Sequence, residues 1–391
     1  MELSDRFMTI PEKADVVVIG GGVMGASIAY HLALYGQKNI VLLEKDAFFG
    51  QGATGRCAGG VRYQFATEVN VRLSLQSLPM LERFEEETGQ AIDFRRCGYL
   101  FLLTRPEDVK VFQATMRMQN RLGVETVWLD GDEIRSRLPQ MRLQDVIGGT
   151  YNSKDGLVDP NSVVMGYISA GQRIGVKAYT EAEVTGLKVE AGRIAGVQTS
   201  SGFIATRVVM NAAGPWAGMV GHMAGVDIPI TPLRRQMFTT TPLPEIPPDF
   251  PFVIDFAQSL YFHREGQGLL IGMSNLDEKP GFDQNVDPDF EVVNLEAAAA
   301  RLPLLEKAGL ASHWAGLYEV TPDAHPIFGG TPVEGLYVCA GYSGHGFMHG
   351  PIAGKLMAEI LLDGVPRTVD VSMLDLARFE EGRLIREYNV V

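Results

Sequence analysis

Cysteine is scarce in this chain, and the scarcity is the first constraint. Cys57, Cys97 and Cys339 are the only three in 391 residues. They lie far apart and form no C-x-x-C pair. An odd, sparse count argues against a disulfide scaffold and fits a reducing cytoplasm; no metal site is expected. Long apolar runs are missing too. The strongest, VVVIGGGVMGASIAYHLAL, is broken by glycines, and nothing approaches the roughly 18 residues a membrane span needs. The opening MELSDRFMTIPEK is too short and too polar for the apolar region of a signal peptide. Positive charge is also short: 34 Lys and Arg against 47 Asp and Glu give a net charge of −13. That argues against nucleic acid or an anionic membrane surface as a partner. No internal repeat or low-complexity tract is present. A chain this long exceeds one ordinary core, so two domains are expected. Its mean hydropathy of +0.04 suits a well-buried globular protein. With no signal-peptide or membrane-length apolar run read from the sequence, it is expected to be soluble and cytoplasmic.

What is present begins near the front, with DVVVIGGGVMGASIAYHLALYGQKNIVLLEK. Val16 to Ile19 read as a strand buried on both faces. Gly20, Gly22 and Gly25 then give G-x-G-x-x-G where the strand ends, with Val23 and Met24 inside the motif. Ala26 to Leu34 read as a helix and Asn39 to Leu43 as the next strand. That strand closes on Glu44 and Lys45, about 20 residues past the glycines, where a carboxylate can bond a ribose hydroxyl. The first glycine allows the turn, the second lets a pyrophosphate approach, and the third lets helix pack on strand. The helix N-terminus offers unpaired N–H groups to phosphate. Dinucleotide binding follows from the whole order of parts rather than from three glycines.

The loop from Phe48 to Phe65 is rich in glycine and carries Arg56 and Arg62. Because it follows the ribose acid, it must pass close to the dinucleotide, where small residues let backbone N–H groups approach phosphate or a flat ring. Its other reading is a flexible surface loop. Glu68 to Glu87 read as an amphipathic helix, Gly98 to Thr104 as a strand, Pro106 to Leu122 as a helix and Asp132 to Arg137 as a short helix. Pro160 and Asn161 open a helix that ends near Arg173. Glu183 to Lys188, Arg193 to Thr199 and Phe203 to Val209 read as a three-stranded meander whose last strand runs into NAAGPWAG.

Thr231 to Pro251 holds six prolines and reads as a crossing linker with extended pieces. Ser259 to Gly272 is a β-hairpin turning at Glu265 to Gly268, and Phe290 to Leu304 is a helix. The strand Gly335 to Ala340, the loop Gly341 to Phe347 and a helix from about Met348 to Leu362 form a second strand–glycine loop–helix unit. Two such units suggest one ligand held at both ends. FAD is long enough, and a helix N-terminus beside its pyrimidine would stabilise the charge gathered there on reduction.

With those residues placed, the chain resembles the D-amino-acid-oxidase-type FAD-dependent oxidoreductase superfamily. The nearest branch holds sarcosine oxidase, glycine oxidase, dimethylglycine dehydrogenase and the β subunit of heteromeric proline dehydrogenase. The resemblance runs from about Ala14 to Gly364. It is carried by Gly20–Gly25 with Glu44, the GATGRCAGGVR loop, NAAGPWA, YEVTPDAHPIFG and AGYSGHGFMHGPIAGK.

The resemblance implies an α/β chain, α+β overall: a Rossmann-like FAD-binding domain interleaved with a second domain on a mixed or antiparallel sheet. We expect 14–90, 150–220 and 320–391 to form the first domain, and 91–149 with 221–319 the second. It implies FAD, which a departure at Gly316 makes non-covalent, and hydride loss from the carbon beside an amine nitrogen, giving an imine that water hydrolyses. By position, Thr54, Gly55, Arg56, Gly59 and Gly60 fall on the flavin side. Gly341, Gly344, His345, Gly346, Phe347 and Met348 fall on the pyrimidine side. Val184 falls at adenine, and Ala212, Ala213, Gly214 and Trp216 line the cofactor. Tyr261 is the substrate-site tyrosine. Arg62 is the cation for a substrate carboxylate, the alternative being a solvated loop arginine. His345 and Met348 border the reacting centre, whereas His263 and His325 are structural.

Three departures matter. Gly316 stands where monomeric sarcosine oxidases attach flavin through cysteine, which argues against that covalent link. Met348 replaces a carboxylate-binding lysine, which weakens plain sarcosine as substrate. Leu270 falls near their oxygen-activating lysine, which leaves oxidase against dehydrogenase open. No histidine for covalent FMN occurs at Val158 to Ser162. The expected activity is therefore oxidation of a small secondary or N-methylated amino acid, with flavin reoxidised by oxygen. The alternatives are a catalytic subunit that passes electrons to a partner subunit, and a non-catalytic flavin-bearing assembly factor.

Overall fold

Val16–Ile19 is buried at every position. It pairs in parallel with Ile40–Leu43 on one side and Val209–Asn211 on the other. The computed structural model describes residues 10–390. The first nine residues, and so most of the stretch weighed against a signal peptide, lie outside the described residues. Lys177–Tyr179 extends the sheet at one edge; Leu336–Ala340 and the antiparallel Ile327–Gly330 complete the other, giving six strands. Because side chains alternate along a strand, the two faces build separate cores. Val16, Val18, Ile40 and Leu42 pack under the helices. Val17, Ile19, Val41 and Leu43 pack against Val184, Ile194 and Ile204 of the meander.

On the helical face Val23–Leu34 and Gly346–Asp363 lie against each other. Glycines set the approach. A Cβ on Gly350 would stand 2.5 Å from Val23 Cγ2, and one on Gly354 would stand 2.1 Å from Ser27 Oγ. Side chains there would push the helices apart. Their close approach brings Val23, Met24, Gly346 and Phe347 to one cleft.

The second sheet has eight strands, in the order Leu310–Val320, Thr231–Thr240, Gly268–Met273, Leu260–Glu265, Phe252–Asp255, Tyr99–Leu103, Gly148–Asn152, Val127–Asp130. All neighbours are antiparallel except Phe252–Asp255 with Tyr99–Leu103, so the sheet is mixed, as expected. The hairpin turns at Gly266 and Gln267 as read from the sequence, with Gly266 at φ +54.

Three sequence readings are corrected. Thr231 to Pro251 is not mainly a linker: Thr231–Thr240 is a ten-residue strand paired along Leu310–Val320. The prolines sit at its second position and beyond its end, so its interior N–H groups remain free to pair. Phe203 to Val209 is not one strand. Gly202–Ile204 closes the meander and Val209–Asn211 belongs to the parallel sheet. Between them the Thr206 hydroxyl accepts from the Val208 N–H at 3.3 Å, a local turn that competes with extension. The helix over 68–87 is two pieces, Glu68–Glu82 and Phe84–Thr88, separated at Arg83.

Candidate functional site

The first turn of Val23–Leu34 opens onto a cleft of about 1260 Å³, counted together with the open space at its mouth. This helix has no cap of its own. Thr54, from the glycine-rich loop, supplies one: its Oγ1 accepts from the Val23 N–H at 3.1 Å. A Cβ on Gly22 would meet that same oxygen at 3.1 Å. The wall therefore stays bare backbone where Gly20, Gly22, Val23 and Met24 line the cleft, and the helix's remaining free N–H groups suit an anion there.

At the adjoining strand end Glu44 accepts from the Gly21 N–H at 2.7 Å and the Asp46 N–H at 2.9 Å. Burial nonetheless pushes its pKa up. Lys45 Nζ lies 4.4 Å from the centroid of the Trp216 ring. Val184, Ala212, Ala213 and Gly214 line the cleft too, and Gly344, Gly346 and Phe347 continue it. Glu319 also belongs to its wall. Its Oε2 is buried without a partner, and a Cβ on Gly214 would stand 3.5 Å from that oxygen. Burial pushes this carboxyl up to about 7. An orphaned oxygen in a cleft wall suits a hydroxyl-bearing ligand. A bare backbone cradle at a helix N-terminus, the Glu44 carboxylate at the adjoining strand end and this orphan together fit FAD.

A second cavity continues from the first through Cys57, Leu317, Tyr318, Gly344 and Phe347, which line both. One wall is aromatic. Tyr99 stacks on Phe252 with centroids 4.1 Å apart, and Phe252 on Tyr261 at 5.7 Å. The Tyr261 ring lies over Gly272, where a Cβ would come within 2.2 Å of its hydroxyl. Gly59, Gly60, Arg56 and Gly316 also line it.

Arg62 is 5% exposed. Its Nη2 donates to Asn389 O at 2.5 Å, its Nη1 donates to Gln64 O, and Phe65 lies 4.0 Å from its Cζ. Burial lowers its pKa. The solvated alternative is thereby excluded. Met348 and His345 stand at the start of Gly346–Asp363. His345 is 2% exposed, both of its ring nitrogens lack partners, and burial holds it well below its usual pKa. It is a neutral imidazole.

Three glycines singled out in the sequence line neither cavity and act behind them. A Cβ on Gly25 would stand 1.8 Å from Gly20 O, and one on Gly55 would stand 2.3 Å from Gly50 O. Gly341 sits at φ +87 against Thr321. His263 and His325 are buried and line neither cavity, His263 packing behind Phe252 at 5.0 Å between ring centroids and His325 with Nε2 2.9 Å from Thr67 Oγ1. Among the described residues no group of His, Cys, Asp and Glu gathers to hold a metal, and no helix is long and apolar enough to cross a membrane.

Sequence reasoning missed Tyr99, Phe252, Arg235, Tyr318 and Glu319, all of which line these cavities. Tyr318 and Glu319 lie inside the YEVTPD motif and were open to view. Arg235 was hidden by reading its strand as a linker.

The family model "FAD dependent oxidoreductase" (DAO) matches residues 15–360. Mitochondrial dimethylglycine dehydrogenase from Rattus norvegicus is 33% identical over 94% of this chain and 45% of its own length. Mitochondrial sarcosine dehydrogenase from Homo sapiens is 32% identical over 97% of this chain and 43% of its own. The chain thus spans less than half the length of these two curated relatives. A solved L-proline dehydrogenase from P. horikoshii is 34% identical, with a TM-score of 0.89 over 96% of this chain and 100% of that one.

Proposed function

This chain belongs to the FAD dependent oxidoreductase (DAO) family, and on that premise we propose that it oxidises the C–N bond of a small secondary or N-methylated amino acid. The observation that carries the reading is the second cavity. It opens from the dinucleotide cleft, has an aromatic wall, contains the buried Arg62 with the half-buried Arg56 and Arg235, and among the described residues is lined by no Asp or Glu. A carboxylate would be drawn to Arg62, and Tyr99, Phe252 and Tyr261 would border the apolar carbons. The named relatives, dimethylglycine, sarcosine and proline dehydrogenases, support that substrate class.

FAD, once bound, supplies the acceptor for a hydride from the carbon beside nitrogen; the nitrogen loses a proton, and water hydrolyses the imine. The chain's own part is binding and orientation. The cavity's titratable side chains are neutral near pH 7 apart from its arginines. Burial raises Cys57 to about 12, raises Tyr99, Tyr261 and Tyr318, and lowers His345. With no charged base among the described residues of the cavity, the substrate amine is expected to react in its neutral form, which nearby cations favour. Flavin reduction is therefore expected to speed up as pH rises through the amine's own pKa. The raised Cys57 and the glycine at 316 both support non-covalent cofactor.

Electrons would leave either to oxygen or to another acceptor. The three relatives are named dehydrogenases, which supports the second route and a heteromeric partner subunit. The test is anaerobic mixing of the holoenzyme with sarcosine, L-proline, glycine and D-alanine, followed by air. Bleaching of the flavin band by a secondary amine supports the reading. Rapid recovery in air then marks an oxidase, and slow recovery a dehydrogenase. No bleaching by any of them sinks it.

A further inference from the structure

Two arginines stand side by side on Thr231–Thr240 and point to opposite faces. Arg234 meets three acids: Glu278 at 3.2 Å, Asp283 at 3.1 Å and Asp287 at 3.4 Å. Arg235 lines the second cavity and, among the described residues, meets none. Its Nη1 donates to Arg234 O at 2.9 Å, its Nε is buried without a partner, and its Cζ lies 5.1 Å from the Tyr318 ring centroid. Arg62, on the same cavity, donates to main-chain carbonyls and packs on aromatic faces, with no ion pair among the described residues, although Asp155 and Glu387 lie near enough to act on its charge. Arg56 adds a third cation, tied to Ala315 O at 2.8 Å. A single substrate carboxylate answers one of these charges. Arg235 is half-buried, but a buried donor left without an acceptor, as its Nε is, is costly, and the strand's alternation shows that the chain supplies acids where it needs them, at Arg234.

We propose that Arg235 is a specificity residue for a second anionic group, so that the preferred substrate is a secondary amine carrying two carboxylates. One carboxylate would meet Arg62 and the other Arg235, with the amine between. This rests on the amine-oxidation reading and adds the substrate class. The redox step is the one given above: hydride and proton leave the amine for the cofactor, and water splits the imine into an amine and an oxo acid.

Two measurements test it on the holoenzyme. The first is binding of unreactive ethers, followed by perturbation of the flavin spectrum. Oxydiacetate carries two carboxylates and methoxyacetate one. Oxydiacetate is expected to bind at least about 10-fold more tightly, as a charge-assisted bidentate contact gives. Arg235→Gln should erase that preference and Arg235→Lys should keep part of it; an unaltered flavin spectrum and Tm certify that the variants are folded. The second is the ratio of kcat/KM for iminodiacetate or N-methyl-L-aspartate to that for sarcosine, expected to fall at least about 10-fold in Arg235→Gln. Equal binding of the two ethers, or a preference untouched in Arg235→Gln, overturns the proposal. Reduction by sarcosine or L-proline but not by the dicarboxylates overturns it while amine oxidation stands. If no amine reduces the flavin, the function reading fails, and the ether comparison still decides the role of Arg235.

Discussion

At the scale of single residues, the buried acids carry the sharpest consequences. Glu319 presents an unpartnered oxygen to the dinucleotide cleft. A cofactor hydroxyl that satisfies it should contribute about 1 to 3 kcal/mol, the cost of leaving a buried polar group unpaired. Glu319→Ala is therefore expected to weaken FAD at least about 5-fold in reconstitution of the apoprotein, with Glu319→Gln intermediate. An unchanged Kd in both would show that the oxygen faces no part of the cofactor. Asp155 lies behind the second cavity, accepting from the Tyr63 N–H at 2.8 Å and from Gln64 Nε2 at 2.9 Å. Burial raises its pKa from 3.8 to about 7. Between those values the folded state holds a proton that the unfolded state releases, so this group's contribution to stability declines as pH rises through that window. Tm against pH for Asp155→Asn should lose that part of the slope. A curve parallel to the parent's would place the carboxylate in its ionised form throughout.

At the scale of elements, the glycines separate into those that must lack a side chain and those that merely turn the chain. Gly25 would place a Cβ 1.8 Å from Gly20 O, whereas Gly36, at φ +96, has nothing within 4 Å of the same position. Gly25→Ala should force the helix off its strand and cost at least about 2 kcal/mol by overpacking, along with FAD binding. Gly36→Ala should cost only the left-handed strain of about 1 kcal/mol and leave FAD affinity intact. Equal losses in urea unfolding would refute the distinction. The same contrast explains what could be read without coordinates. Gly20–Gly25, Glu44 and the hairpin around Tyr261 were legible because local chemistry dictates each. Arg235 was not, because six prolines near Thr231–Thr240 mimic a linker, and only the pairing with Leu310–Val320 shows a strand there. Nor was the break after Ile204, which depends on one threonine hydroxyl. Tyr99 and Phe252 reach the site through a pairing of strands about 150 residues apart, from Phe252↔Tyr99 to Asp255↔Leu102, which no local pattern announces.

At the scale of the whole molecule, residues 372–390 join parts of the chain that no single sheet connects. Arg378 and Asp323, both fully buried, pair at 2.9 Å and fix this segment to the TPDAHP loop. Tyr388 Oη donates to Asp108 Oδ1 at 2.6 Å, reaching the helix Pro106–Arg121. Glu387 accepts from the Ala66 N–H at 2.6 Å, the Thr67 N–H at 3.1 Å, the Thr67 hydroxyl at 2.7 Å and Asn70 Nδ2 at 2.9 Å. Two residues on, Asn389 O receives Arg62, and Val390 lines the second cavity. Glu387 thus fixes the segment that fixes the guanidinium, without touching the cavity itself. Removing it leaves several buried donors unpaired, so Glu387→Ala should cost about 3 kcal/mol in stability. It should also loosen Arg62, raising KM for a carboxylate substrate by more than it lowers kcat. Glu387→Gln, which keeps the acceptor oxygen, should recover most of the stability and much of the KM. A loss of stability with KM unmoved would separate the two roles and show that Arg62 holds its position without the segment beneath it.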